Sequence, residues 1–439
     1  MRRATRFSPA ENTSRPPATE CPSSFAALRH RDFRLVWAGQ FVSITGSQMQ
    51  LVTINWHIYQ LTQPFGQRYA AFALSLVGLV RVVPIILCSL LGGVVADAVD
   101  RKRLIIVTQS VMLASAAVLA GVTFTGLRHV WPIYLLTAIA SAAIAFDNPA
   151  RQALLPSLVP EHVFPNAVSL GFVSFQIAMV TGPVLGGVVL ARYGPSMVYA
   201  ANAVSFLAVI AAMLLIRVSG KAKGGESGGI SFAALGEGLK FVWRTPIMVQ
   251  TMALDFVATF FASATALLPI FASRILNVGE YGYGFLAGAS AFGAVLTGLM
   301  LTRRAGWGKP GLTVLLAVAV YGTATVVFGL SHSYWLSLLM LAVSGAADTI
   351  STVIRQTIRQ LITPDRLRGR MTSVNMIFFM GGPQLGELEA GLLAGVTSAP
   401  FSVVVGGVGC LFAVLVAAAR ARELLRYRFG RSEAGEAGG

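Results

Sequence analysis

Apolar stretches long enough to cross a bilayer follow one another from residue 33 to residue 420, separated by short polar breaks. A helical crossing of a hydrocarbon layer roughly 30 Å thick takes about 20 apolar residues. Inside lipid every backbone polar group must be bonded within the structure, which leaves helices or closed barrels. Barrel strands would alternate apolar and polar positions, and no such alternation runs through this chain. The spacing predicts helices at 33–60, 70–97, 103–126, 131–155, 164–190, 196–217, 246–274, 283–302, 311–330, 334–358, 370–396 and 399–420. The expected fold class is an all-α polytopic membrane protein with twelve transmembrane helices. Composition agrees, because only 12% of the residues are charged where soluble domains carry about a quarter.

A formal charge of +16 would suggest a nucleic-acid partner for a soluble chain. Here the useful information is where the bases lie. With these helices, 29 of the 34 Lys and Arg fall in the tails, loops and helix ends of one side, and Arg68, Arg128, Arg192 and Arg274 fall opposite. By the positive-inside rule both termini lie in the cytoplasm, below a plasma membrane, and no nucleic-acid partner is expected. The domain reading is a disordered tail at 1–32, without the apolar core of a signal peptide, and a six-helix bundle at 33–217. A cytoplasmic linker at 218–245, a second bundle at 246–420 and a tail at 421–439 complete it. Residues 221–229 are flexible by composition. Phe232, Leu235, Leu239 and Val242 then repeat at threes and fours with Glu237, Lys240 and Arg244 between them, the pattern of an interfacial helix.

Two strings recur in the same order. Asp147-Asn148-Pro149-Ala150-Arg151-Gln152, with Pro160 nine residues after Arg151, is echoed by Asp348, Arg355-Gln356 and Pro364. Gly182-Pro183-Val184-Leu185-Gly186 is echoed by Gly382-Pro383-Gln384-Leu385-Gly386. Two matched pairs imply a duplicated, pseudo-symmetric six-helix unit. Parallel repeats of this kind build secondary transporters whose site lies between the halves.

Polar residues inside the spans are the site candidates. Gln40, Ser43, Ser47 and Gln50 share one face of the first helix, and either line a wet cavity or bond a neighbouring helix. Arg81 lies about eleven residues into the second helix and needs a partner there; Glu387 and Asp255 compete for it. Asp255, near the midplane with Thr251 and Thr259 on its face, is the expected proton carrier, a structural ion pair being the alternative. Glu387 and Glu389 are two apart and therefore on different faces. Asp147 and Asp348 are expected near inner helix ends, paired locally with Arg151 or Arg355. Pro269 should kink the outer end of the seventh helix. Cys21, Cys88 and Cys410 offer neither a disulfide framework nor metal spacing. There is no metal-spaced His/Glu pair and no phosphate-binding glycine-lysine loop, so neither an enzyme nor a cofactor is expected.

Between the second and third helices runs Gly92-Gly93-Val94-Val95-Ala96-Asp97-Ala98-Val99-Asp100-Arg101-Lys102-Arg103. Its Gly93, Ala96, Asp97 and basic triplet resemble the loop signature of the major facilitator superfamily, from which Ala98 and Asp100 depart. Gly182, Pro183, Gly186 and Gly187 resemble the Gly-Pro-x-x-Gly-Gly core of the fifth-helix motif of exporters in that superfamily, with Ala178 in place of an upstream glycine. The Asp147 string and Gly386-Glu387-Leu388-Glu389 are similar to the enterobactin-exporter-like branch. The resemblance implies two six-helix bundles rocking about a central site and export of a small, partly apolar drug or siderophore against protons by a monomer. Import of a small organic solute is the alternative. It also implies a gate in which Asp97 meets Arg151 and the start of the eleventh helix near Thr372, with Gly93 and Arg101 in the same loop.

Overall fold

A computed structural model describes residues 25–218, 240–261, 265–301, 309–364 and 368–426, excluding the side chains of 90–94, 96–98, 368–380, 422 and 426. Eleven long helices carry it: α1 (Arg31–Thr62), α2 (Gln67–Ala98), α3 (Arg101–Phe124), α4 (Trp131–Leu158), α5 (Phe164–Leu215), α6 (Pro246–Phe261), α7 (Gly279–Leu301), α8 (Pro310–Leu330), α9 (Tyr334–Ile362), α10 (Arg368–Val396) and α11 (Ala399–Arg420). Among the described residues nine stretches are long and apolar enough to cross a membrane. This is an all-α, multi-pass membrane fold. The tails 1–24 and 427–439 and linker residues 219–239, with most of the expected interfacial helix, lie outside the described residues.

The helix ends have local causes. The Asp100 side chain accepts from the backbone N–H of Lys102 at 2.9 Å and of Arg103 at 3.2 Å, capping α3. That explains the acid which departs from the loop signature, since a capping carboxylate satisfies N–H groups with no intrahelical partner. Helices expected at 164–190 and 196–217 are the two arms of α5, which turns at Gly194 with φ 76 and ψ 177. Only glycine adopts that conformation without strain. Around Pro269 the helix type changes: a 3-10 turn covers Thr265–Leu267, and a π-helix follows at Phe271–Ile275. A prolyl nitrogen donates no hydrogen bond to the preceding turn, so the regular ladder stops there.

Most helices run between two ends, a basic end holding the α2–α3 loop and a far end holding Gly194. At the far end one apolar core includes both halves of the chain, joining Trp56, Tyr59 and Leu190 to Phe271, Tyr283 and Val403. At the basic end the cores are separate: Phe33, Ile105, Leu154 and Met213 belong to one, and Ile247, Val314, Ile358 and Leu424 to another. Among the described side chains, the halves thus share one core at the far end and have separate cores at the basic end.

The far-end joint is tight. A Cβ on Gly187 of α5 would lie 2.7 Å from the Gly284 Cα of α7, and one on Gly284 would lie 2.8 Å from the Gly187 Cα. Trp56 stacks on Tyr283 with ring centroids 5.1 Å apart. The Tyr283 hydroxyl donates to the Val52 carbonyl at 3.1 Å, and Trp56 Nε1 donates to Glu280 at 3.2 Å.

Candidate functional site

A buried cluster of three charges lies between α6 and α9. Arg355 Nη2 is 2.7 Å from Asp255 Oδ1, and Arg359 Nη2 is 3.4 Å from Asp255 Oδ2. Arg355 is 0% exposed and Asp255 6%, so neither charge can be solvated by water and each relies on the other. Asp255, expected as a free proton carrier, is thus held by two guanidinium groups. Arg359 lies one turn after Arg355 on the same helix face. What the sequence could not give is that this face meets Asp255. Arg355 and Arg359, counted as bases of the cytoplasmic side, are buried in α9, which runs on to Ile362.

Asp348 is the second correction. It lies at the middle of α9 rather than near its inner end, and its side chain is 45% exposed. Arg355 reaches it only at 3.9 Å, and the Thr352 hydroxyl lies 3.5 Å from its Oδ1. Thr352 and the exposed Gln356 continue the face at intervals of four. A partly exposed acid at mid-helix is the candidate that sequence reasoning missed. Its signal was present in the stripe Asp348, Thr352, Gln356.

The duplicated counterpart behaves differently. Asp147 is 3% exposed. It forms an ion pair with Arg151 and accepts from Thr108 Oγ1 at 2.7 Å and Gln109 Nε2 at 3.1 Å. Local pairing was expected, and here it binds α3 to α4. Arg101 Nη1 donates to the Ala153 carbonyl at 2.9 Å. Of the expected gate, the side chains of Gly93, Asp97 and Thr372 lie outside the described residues, and Arg151 is engaged by Asp147.

On α1 the polar face divides. Gln50 Oε1 accepts from Asn202 Nδ2 at 2.7 Å, Ser43 is 3% exposed, and a Cβ on Gly46 would lie 2.5 Å from Ser205 Oγ. Gln50 and Gly46 thus face the second arm of α5, the neighbouring-helix alternative, while Gln40 and Ser47 are half-buried. A Cβ on Gly182 would run into Gln48, and one on Gly186 would lie 3.0 Å from the Met49 Cα. The motif glycines thus let α5 pack on α1. The Pro183 carbonyl lies 2.8 Å from a Cβ built on Gly284, so the same motif reaches α7.

Arg81 and Glu387 come together across the α2–α10 contact. Their charges act on each other, although no ion pair within 4.0 Å joins them among the described residues. Glu387 Oε1 accepts from Thr265 Oγ1 at 2.8 Å, and a Cβ on Gly78, one turn before Arg81, would lie 3.0 Å from Glu387 Oε2. Asp255, the competing partner, is committed to α9. Glu389 is half-buried on α10.

Comparison with known proteins fits this geometry. The chain is 24% identical over 408 residues to the enterobactin exporter EntS of Salmonella choleraesuis, covering 91% of this chain and 94% of that one. It is 25% identical to the same exporter of Citrobacter koseri over the same coverage. Among solved structures it superposes on a bacterial homolog of the human lysosomal transporter Spinster, in an inward-facing and unoccupied conformation, with TM-score 0.68. The identity there is 15%, covering 92% of this chain and 99% of that one. The nucleoside transporter NupG gives TM-score 0.67 at 13% identity, covering 89% and 99%. The family profile described as transmembrane secretion effector matches residues 22–426, and the chain belongs to this family of major facilitator superfamily transporters.

Proposed function

We propose that this secondary transporter exports a small, partly apolar, siderophore-like or drug-like compound from the cytoplasm in exchange for protons, working as a monomer by alternating access. The observation that carries the reading is the divided core. With the basic end placed in the cytoplasm, the described cores are separate on the side from which an export substrate loads and joined on the other. The near full-length likeness to enterobactin exporters supports the direction and disfavours import. Proton coupling is assigned to the two acids with access to solvent or a hydroxyl, Asp348 and Glu387, while Asp255 holds the arginines. Proteoliposomes carrying an imposed pH gradient, screened with siderophores and lipophilic drugs, test it. Gradient-driven movement out of the cytoplasmic side is expected, and gradient-independent flux would overturn it.

Twelve crossings in two six-helix bundles follow if the 161–215 stretch counts as two about Gly194 and α1 and α10, whose polar residues dilute their hydropathy, are added to the nine. Both termini then share the basic side. In a cysteine-free background, Arg103→Cys should react with an impermeant thiol reagent only from the cytoplasm, and His332→Cys only from outside. Labelling of both from one side would eliminate this topology.

The α2–α10 contact gives a further expectation. Arg81→Gln and Glu387→Gln should each lower transport at least tenfold, because each strands a charge within the membrane. The exchange Arg81→Glu with Glu387→Arg should recover part of it. Rescue by exchanging Arg81 with Asp255 instead would contradict the pairing.

A further inference from the structure

A cavity inside the C-terminal half lies between the two carboxylates assigned to coupling. Its hydroxyl-bearing lining is Thr265, Ser290 of α7, Tyr321 and Thr325 of α8, and Ser344 of α9, with apolar side chains between them. Thr265 is at once a wall of the cavity and the donor to Glu387 Oε1 at 2.8 Å. Ser344 is one helical turn before Asp348 on the same side of α9. Glu387 is thus bonded to one wall of the cavity, and Asp348 lies one turn beyond another.

Its walls suit water. Thr325 Oγ1 donates to the Tyr321 carbonyl at 3.0 Å, and Ser344 Oγ to the Leu341 carbonyl at 2.7 Å. With their protons committed to helix carbonyls, both hydroxyls offer lone pairs, which accept from water. The space open to water centres is about 50 Å³, several times the roughly 10–15 Å³ that one molecule needs.

We infer that this cavity holds a short water chain that carries protons between Glu387 and Asp348 within the C-terminal half, apart from the substrate route between the halves. In the step, the Glu387 carboxylic acid gives its proton to the first water, and the last water gives one to the Asp348 carboxylate. One O–H bond breaks and one forms at each transfer, and no other reactant is needed. Glu387 ends as a carboxylate facing Arg81 of α2. Asp348 ends neutral, leaving Arg355 and Arg359 of α9 to Asp255 of α6. The lost charge on Asp348 is thereby felt by the guanidinium pair that ties α6 to α9. The inference rests on the proton-coupled reading above, but its test does not require a substrate.

Full-length protein in nanodiscs is given a rapid pH drop, and the infrared band of protonated carboxyl groups is followed. The Glu387 and Asp348 contributions are assigned with Glu387→Gln and Asp348→Asn. In the state described, Asp348 meets solvent and should protonate first, with Glu387 following through the cavity. Thr325→Val with Ser344→Ala, and separately Thr265→Val, should slow Glu387 at least tenfold and leave Asp348 unchanged. Ala324→Leu, which fills the cavity without removing a hydroxyl, should do the same and guards against a folding defect in the double variant. A Glu387 rate unaffected by all three, or a Glu387 that never takes up a proton, would overturn the water chain. Gradient-driven transport that persists under that result would leave the exporter reading standing, whereas loss of gradient dependence with an intact chain would fail that reading alone.

Discussion

Gly187→Val and Gly284→Val are each expected to abolish transport while the protein still inserts and folds. The two Cα atoms oppose each other so closely that a Cβ on either falls 2.7–2.8 Å from the other backbone, well inside contact distance. A backbone in a helix cannot yield as a flexible side chain does, so the strain is relieved by parting α5 from α7. Overpacking of this kind costs about 1–3 kcal/mol, equivalent to roughly a 5- to 150-fold shift between two states. The far end should open, and a single cysteine at Ser75, which is 0% exposed in the joint, should label from that side more than tenfold faster. Unchanged labelling together with normal transport would show that the two halves do not close through this crossing.

The second large effect is expected at Asp255. Asp255→Asn leaves Arg355 and Arg359 buried with only a carboxylate that is 45% exposed and 3.9 Å from Arg355. Breaking a buried pair by removing one partner costs about 3–5 kcal/mol. Thermal unfolding in detergent should show a pronounced fall for Asp255→Asn and a far smaller one for Asp348→Asn. Adding Arg359→Leu to Asp255→Asn should regain part of the loss, because it removes one of the two stranded charges. Equal destabilisation by the two aspartate variants would mean that Arg355 is shared evenly between them.

How much of this was legible depends on whether the determining contact is local. Helix positions followed from apolar runs and breakers, the Arg151–Asp147 pair from a spacing of four, and the loop after Asp97 from its charges. Asp100 looked like a departure from a family pattern because its partners are backbone N–H groups, which leave no mark in side-chain identity. The same limit applies between helices. Periodicity groups Ser43 with Gln50, and Arg355 with Arg359, but it does not say which helix each face meets. Gln50 could equally have lined water, until Asn202 was found opposite it. Asp348 was misplaced although its position already put it near the middle of the expected helix, because its nearness in sequence to Arg355 suggested a local pair.

The turn at Gly194 has a mechanical consequence. A single residue joins the two arms of α5, so the connection has no slack with which to absorb a displacement. Both arms bear on α1, the first through Gly182 and Gly186 and the second through Asn202, and the first also meets α7 through Gly187. Any separation at the glycine crossing must therefore be transmitted to α1 as a rotation of the whole V-shaped pair. The arms act as a lever with its fulcrum at the far end, and movement there is magnified along their length towards the basic end.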